Sequence, residues 1–81
     1  MSTLRDAEKK RTLCARLARV EGQLRGIQKL IEEEADCEKV AQQLSAARKA
    51  LDKTFYAMLG CMIEEGEQPL AHVSEMLVKF A

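Results

Sequence analysis

The sequence has few of the residues that interrupt helices or stabilise secreted domains. Its 81 residues include one proline, four glycines, a single histidine and no tryptophan. With 47% hydrophobic and 32% charged residues, this composition is typical of a helical globular domain rather than a disordered or extracellular chain. One domain, residues 1–81, is expected, and a chain this short buries only about 60% of its unfolded surface alone. We therefore expect its stability to need a partner chain.

Long apolar runs and closely spaced cysteines are also missing. No apolar run approaches the roughly 18 residues needed to cross a bilayer, and residues 1–11 carry charges where a signal peptide is apolar. A cytoplasmic protein without a membrane partner is expected. Cys14, Cys37 and Cys61 are widely spaced and form no C-x-x-C pair, which argues against a disulfide framework or a zinc finger. No acid–base pair, nucleophile beside a histidine or phosphate loop is found in the sequence, so no enzyme is predicted.

The net charge of zero hides a strong asymmetry along the chain. Residues 1–29 contain eight Lys or Arg and three acidic residues, a net charge of +5, so residues 30–81 carry −5. A concentrated cationic surface of this kind is a plausible nucleic-acid footprint. The alternative is a solvated helix face without a partner.

Apolar residues recur every three or four positions along a first long segment, which predicts an amphipathic helix. This helix is expected from about Leu4 to Glu33, and its apolar stripe consists of Leu13, Leu17, Val20, Leu24, Ile27 and Ile31. Gly22 and Gly26 interrupt the helix. A glycine pair four residues apart suggests that another helix approaches that face closely.

A second helix is expected after a break at residues 34–36, with Asp36 as its N-cap, and is expected to run to about Glu65. Gly66 suits its C-terminal cap, and Pro69 suits the first turn of a short third helix, Leu70–Phe80. The apolar stripe of the second helix consists of Cys37, Val40, Leu44, Ala47, Leu51, Thr54 or Phe55, Met58, and Cys61 or Met62.

Two helices of about 30 residues each span about 45 Å, which is longer than a compact monomer of this size holds. Folded back as a hairpin, they would expose an apolar edge. We therefore expect an all-α fold: a three-helix protomer, with two long helices and a short C-terminal one, that forms an antiparallel four-helix-bundle dimer with two-fold symmetry.

The cysteines of the second helix lie at its opposite ends. Cys37 and Cys61 are 24 positions apart, or about 36 Å, and cannot meet within one chain. An antiparallel pairing that crosses near Lys49 sets Cys37 beside the partner subunit's Cys61, in a site that reports on how the protomers sit together. The alternative is that both are small core residues. Met58 and Met62 are either soft ligands for Cu(I) or gap-fillers, whereas Cys14 and His72 are interpreted as packing and surface residues.

Three segments resemble the CsoR/RcnR/FrmR family of bacterial repressors: RLARVEGQLRGI at residues 16–27, the Asp36–Cys37 pair, and QQLSAAR at residues 42–48. The resemblance implies a dimer with an antiparallel helix bundle, a tetramer of two dimers, and repression of promoters by binding double-stranded operator DNA until a small inducer or metal ion occupies a site between protomers. The family's inducer cysteine matches Cys37. Its DNA-contact positions match Arg16 and Lys53, with neighbours at Lys9, Lys10, Arg11, Arg19, Arg48 and Lys49.

The sequence departs from each inducer class of that family. Copper sensors carry a His and a Cys at the positions of Met62 and Gly66, and the histidines of the nickel and cobalt sensors are missing. Formaldehyde sensors use an N-terminal proline, whereas Ser2 follows Met1 here. Sulfur sensors have their second cysteine at the Gly66 position, five residues after Cys61.

Three hypotheses follow from the sequence. In the first, a persulfide, aldehyde or oxidant modifies Cys37, together with the partner subunit's Cys61, and releases the repressor from DNA. In the second, Cu(I) or another soft metal binds Cys37, Cys61 and Met62, since soft metals favour thiolates and thioethers. In the third, the chain is a helical interaction module that binds no DNA.

Overall fold

The computed structural model describes residues 3–66 and 69–81, so Ser2 lies outside the described part. Three helices follow one another: α1 (Ala7–Glu32), α2 (Cys37–Glu65) and α3 (Leu70–Phe80). The predicted three-helix, all-α protomer is confirmed, and the described residues contain no strand. No helix among them is long and apolar enough to span a membrane.

Side-chain caps set the helix starts. Asp6 accepts a hydrogen bond from the Lys9 N–H at 2.9 Å, so α1 begins at Ala7 and not at the predicted Leu4. Asp36 caps α2 as predicted, because its carboxylate accepts the N–H groups of Glu38 and Lys39 at 3.1 and 3.4 Å.

Gly66 ends α2 in the left-handed conformation, with φ of 68°, as its predicted role as a C-terminal cap requires. Its N–H donates to the carbonyls of Met62 and Ile63. Pro69 occupies the N-cap position of α3, one residue before the first-turn position that the sequence predicted. This small shift leaves the predicted span of α3 unchanged.

The core of the protomer is the seam between α1 and α2. Leu13, Val20 and Ile27, seven residues apart, are the buried residues of α1, and α2 buries Ala47, Thr54 and Leu59. The α3 helix packs on α2 through Val73, which is 5% exposed. Only one half of each predicted apolar stripe is therefore used within the protomer.

The other half of each stripe forms an exposed row that we call the apolar edge. It comprises Leu17, Leu24 and Ile31 of α1 and Leu44, Leu51 and Met58 of α2, which are 36–57% exposed. Leu17, Leu51 and Met58 line a single groove along the hairpin. An added Cβ at Gly22 or Gly26 meets nothing within 4 Å among the described residues, so the expected close approach of a helix is not made within the described part of this chain.

The chain is more extended, and exposes more surface, than a compact monomer of the same mass. Its principal extents are 48 × 27 × 16 Å and its accessible surface is 6339 Å². A compact monomer of 9.1 kDa exposes about 4,900 Å². The excess is larger than the roughly 800 Å² that each partner buries in a standard protein interface.

Candidate nucleic-acid interface and cysteine sites

A groove on one side of the hairpin brings four of the predicted DNA-binding side chains together. Arg16 and Arg19 of α1 and Lys49 and Lys53 of α2 line it, with a volume of about 450 Å³. Gln23, Ala46, Ala50 and Thr54 complete the lining. We call this the cationic groove.

Helix periodicity explains why these residues meet. Arg16 and Arg19 are three residues apart on α1, and Lys49 and Lys53 are four residues apart on α2, so each pair lies on one face. Ala46 and Ala50 are small, and they leave space between the long side chains on either side. The antiparallel packing of α1 on α2 then sets one pair opposite the other.

The four cations of the cationic groove have no counter-ion within the described residues, where none of them lies within 4.0 Å of a carboxylate. Other basic residues on the same helices are paired: Arg25 with Glu21 at 3.7 Å and Lys29 with Glu33 at 3.9 Å. Like charges gathered without carboxylates repel one another and create a positive potential that attracts anions. The groove is therefore suited to a polyanion such as a nucleic-acid backbone.

The remaining predicted contacts lie elsewhere. The Lys9 ammonium forms an ion pair with Glu64 at 3.2 Å, and its side chain is only 24% exposed. Burial opposes the charged form of Lys9, but the hydrogen bond that Lys9 donates to Glu64 and the negative charges of Glu64, Asp6 and Glu65 together outweigh burial, so the pKa of Lys9 is raised. Lys10, Arg11 and Arg48 do not line the cationic groove.

The end of α2 also holds the segment that precedes α1, a connection that the sequence analysis missed. The Glu65 carboxylate accepts the N–H groups of Arg5 and Asp6, at 3.2 and 2.9 Å. The pKa of Asp6 is lowered, mainly because the Lys9 N–H donates to its carboxylate. The acidic pair at residues 64–65 could have indicated a contact of this kind. The residues that donate to Glu65, however, lie about 60 positions away in the sequence.

Cys37 and Cys61 occupy different surroundings at opposite ends of the hairpin. Cys37 is exposed in a shallow cleft beside the turn between α1 and α2, near Ile31 and Val40. Cys61 is half-buried in a cleft that it shares with Leu13 and Arg16 of α1. Within one chain the structure keeps the two thiols apart, as the sequence predicted.

The faces of α2 on which these sulfur residues lie differ as well. At 3.6 residues per turn, Met62 lies about 20° around the helix from Cys37, whereas Cys61 lies about 120° away. Cys37 and Met62 therefore share the side of α2 that carries the apolar edge, and Cys61 lies toward α1. Gly66 has no side chain to offer a ligand and ends the helix.

The described part of one chain holds no cluster of three or more His, Cys, Asp or Glu residues suited to a metal ion. Cys37 begins α2 whereas Cys61 and Met62 lie near its end, so the three predicted ligands are not assembled within one chain. A site that uses both ends of α2 needs a second subunit.

Comparison with known proteins gives two matches. The family model described as metal-sensitive transcriptional repressor matches residues 9–77, which include nearly all of α1, all of α2 and most of α3. The copper-sensing transcriptional repressor CsoR of Bacillus subtilis (strain 168) is 28% identical over a match 86 positions long, gaps included. This match covers 94% of this chain and 85% of that protein. No solved structure matches this chain.

Proposed function

Because the chain belongs to the metal-sensitive transcriptional repressor family, we propose that it is a dimeric DNA-binding repressor released by a thiol-reactive inducer at Cys37. The observation that carries the proposal is the cationic groove, in which two arginines and two lysines from two helices converge without a carboxylate partner in the described part of the chain. The cations contact phosphates of the operator.

The dimer forms through the apolar edge. Burying a large apolar side chain contributes about 1.5–3 kcal/mol, and six such residues line the edge of each protomer. An antiparallel pairing of the two α2 helices covers these residues. It leaves the cationic groove open, because the lysines of the groove lie on another face of α2.

This surface recognises the operator through contacts with DNA phosphates. Contacts to phosphates fix register and orientation, whereas sequence is read from base edges or from the shape of the duplex. Two grooves on one dimer select a duplex whose phosphates match their spacing, and such selection depends on DNA shape and deformability.

An inducer that reacts with Cys37 would lie at the dimer interface, because Cys37 is on the same side of α2 as the apolar edge. With an organic persulfide, the Cys37 thiolate attacks the outer sulfur and the RS⁻ thiolate leaves, so Cys37 becomes a persulfide. The thiolate of the partner subunit's Cys61 then attacks the Cys37 sulfur and expels HS⁻, which leaves an intersubunit disulfide.

Formation of that disulfide changes the DNA-binding surface. Cys61 lies toward its own α1, so it turns toward the interface only when the end of α2 rotates. Arg16 lines both the cleft of Cys61 and the cationic groove. Movement of this end of the hairpin therefore displaces a DNA contact, which is how an inducer between subunits weakens the operator complex.

The salt dependence of binding to the protein's own upstream DNA tests the proposal. For wild type, the dissociation constant rises steeply with salt, since neutralised phosphates release counterions. Lys53→Ala is expected to weaken binding about tenfold and to reduce the slope of log K against log salt by about 0.9 for each copy of the groove that contacts the duplex.

Lys39→Ala is the matched control, because Lys39 is an exposed lysine of α2 outside the cationic groove. It should bind like wild type. Weak, salt-insensitive binding of wild type would instead favour a helical interaction module without a DNA partner.

A second candidate is a repressor that senses Cu(I) or another soft metal. Two observations favour it: the similar Bacillus protein is described as copper-sensing, and Met62 shares the face of Cys37. In an antiparallel dimer, Cys37 and the partner subunit's Met62, with or without its Cys61, would supply thiolate and thioether ligands.

Anaerobic titration with Cu(I) tests this candidate. A copper sensor takes up about one tightly bound Cu(I) per chain, and Cys37→Ser or Met62→Leu weakens the uptake, because soft sulfur ligands hold this ion. Met76→Leu on α3 is the control and should leave uptake unchanged. An absence of stoichiometric uptake by wild type would rule the candidate out and leave the thiol-reactive inducer.

A further inference from the structure

Gln23 is the residue of the cationic groove with an unexplained polar atom. Its Oε1 is buried and has no hydrogen-bond partner among the described residues. Buried polar atoms are almost always paired, because leaving one unpaired costs stability. Within a groove lined by four cations, such an acceptor therefore indicates a hydrogen bond that forms in another state of the protein.

The chemistry of the groove restricts that partner. An amide oxygen only accepts hydrogen bonds, so it cannot bind a phosphate oxygen, which also accepts. The Thr54 hydroxyl already donates to the Ala50 carbonyl at 3.0 Å. The donors that remain among the lining side chains are those of the two arginines and two lysines.

Arg19 is the donor that fits best. It lies four residues before Gln23 on α1, so the two side chains are neighbours on one face of the helix. A guanidinium carries five N–H donors in a rigid plane, and it can donate to an amide while other N–H groups point at a phosphate. A lysine ammonium lacks this fixed geometry.

We propose that Gln23 is a positioning residue for DNA binding: in the operator complex its Oε1 accepts an N–H of Arg19 and aims the guanidinium at a phosphate. The inference rests on the proposed DNA-binding function and adds a residue to it. Without DNA the acceptor has no partner among the described residues. We therefore expect Gln23 to contribute to DNA affinity and not to folding stability.

Gln23→Leu separates these two effects, with Gln28→Leu, an exposed glutamine of the same helix, as control. We expect Gln23→Leu to weaken binding to upstream duplex DNA about tenfold, the usual consequence of losing a hydrogen bond to a charged group. Its thermal midpoint should equal or exceed that of wild type, because an unpaired buried amide is removed. Gln28→Leu should change neither quantity beyond twofold in affinity or a few degrees in midpoint.

A double-mutant cycle with Arg19→Ala tests the specific partner. If Gln23 acts through Arg19, Gln23→Leu has little further effect on affinity once Arg19 is replaced. Equal losses in both backgrounds would overturn the positioning role, and so would unchanged affinity of Gln23→Leu or a loss of affinity that follows a loss of stability. Binding of wild type with a steep salt dependence alongside any of these results would leave the proposed function standing, whereas absence of wild-type binding would remove both.

Discussion

A Leu51→Asp variant is expected to sediment as a monomer and to lose measurable operator binding. Leu51 is 49% exposed at the middle of the apolar edge, beside Leu17 and Met58. In the proposed dimer, the introduced carboxylate is buried among apolar side chains and loses its hydration, at a cost of several kcal/mol for each unpaired charge. Because the substitution occurs in both subunits, the penalty applies twice.

Loss of DNA binding follows from loss of the dimer. In the proposed dimer, two cationic grooves on one rigid body engage the duplex together, so the second contact is effectively intramolecular and adds orders of magnitude to the affinity. A monomer has one groove and binds only as a weak, salt-sensitive polycation. Analytical ultracentrifugation and gel shifts measure the two consequences.

Ile63→Asp provides the control, since Ile63 is also exposed on α2, at 47%, but lies outside the apolar edge. It should remain dimeric and bind DNA. Leu51→Ala serves as a milder variant in case Leu51→Asp unfolds, and it should weaken dimerisation about tenfold or more through lost apolar burial. A dimeric, DNA-binding Leu51→Asp protein would exclude the apolar edge as the interface.

The parts of this fold that local chemistry decides were predictable. Asp36, Gly66 and the apolar periodicity set the limits of α2 and α3, because caps and helix stripes depend on residues a few positions apart. The convergence of cations was only partly predictable. Which cations line the groove depends on the register of α1 against α2. Lys9 is instead paired with Glu64, a residue from the opposite end of the hairpin's sequence.

The face of α2 on which Cys61 lies also could not be predicted from sequence spacing. Both Cys61 and Met62 were compatible with the apolar stripe, and a stripe drawn on sequence spacing cannot separate the side that packs on α1 from the side that remains exposed. The structure separates them, because Cys61 shares a cleft with Leu13 and Arg16. The pair Gly22 and Gly26 suggested a neighbouring helix, but no described residue of this chain occupies the space beside them.

Replacing Cys37 with serine is expected to leave operator affinity unchanged and to abolish its response to inducer. Cys37 is exposed and distant from the cationic groove, so its thiol makes no contribution to phosphate contacts. In wild type, exposure to an organic persulfide should weaken DNA binding roughly 5- to 150-fold, the range of typical coupling energies between two sites. Serine cannot accept the sulfur, and the DNA-binding state persists.

The other two cysteines make this prediction specific. Cys14→Ser removes another exposed thiol, from α1, and should respond like wild type. Cys61→Ser should still acquire one persulfide sulfur at Cys37 in intact mass spectra but form no intersubunit disulfide, so its loss of affinity should be smaller. Formaldehyde and Cu(I) in parallel reactions identify the inducer class. Release of Cys37→Ser from DNA to the same extent as wild type would show that the signal enters elsewhere, since no other thiol lies on the interface side of α2.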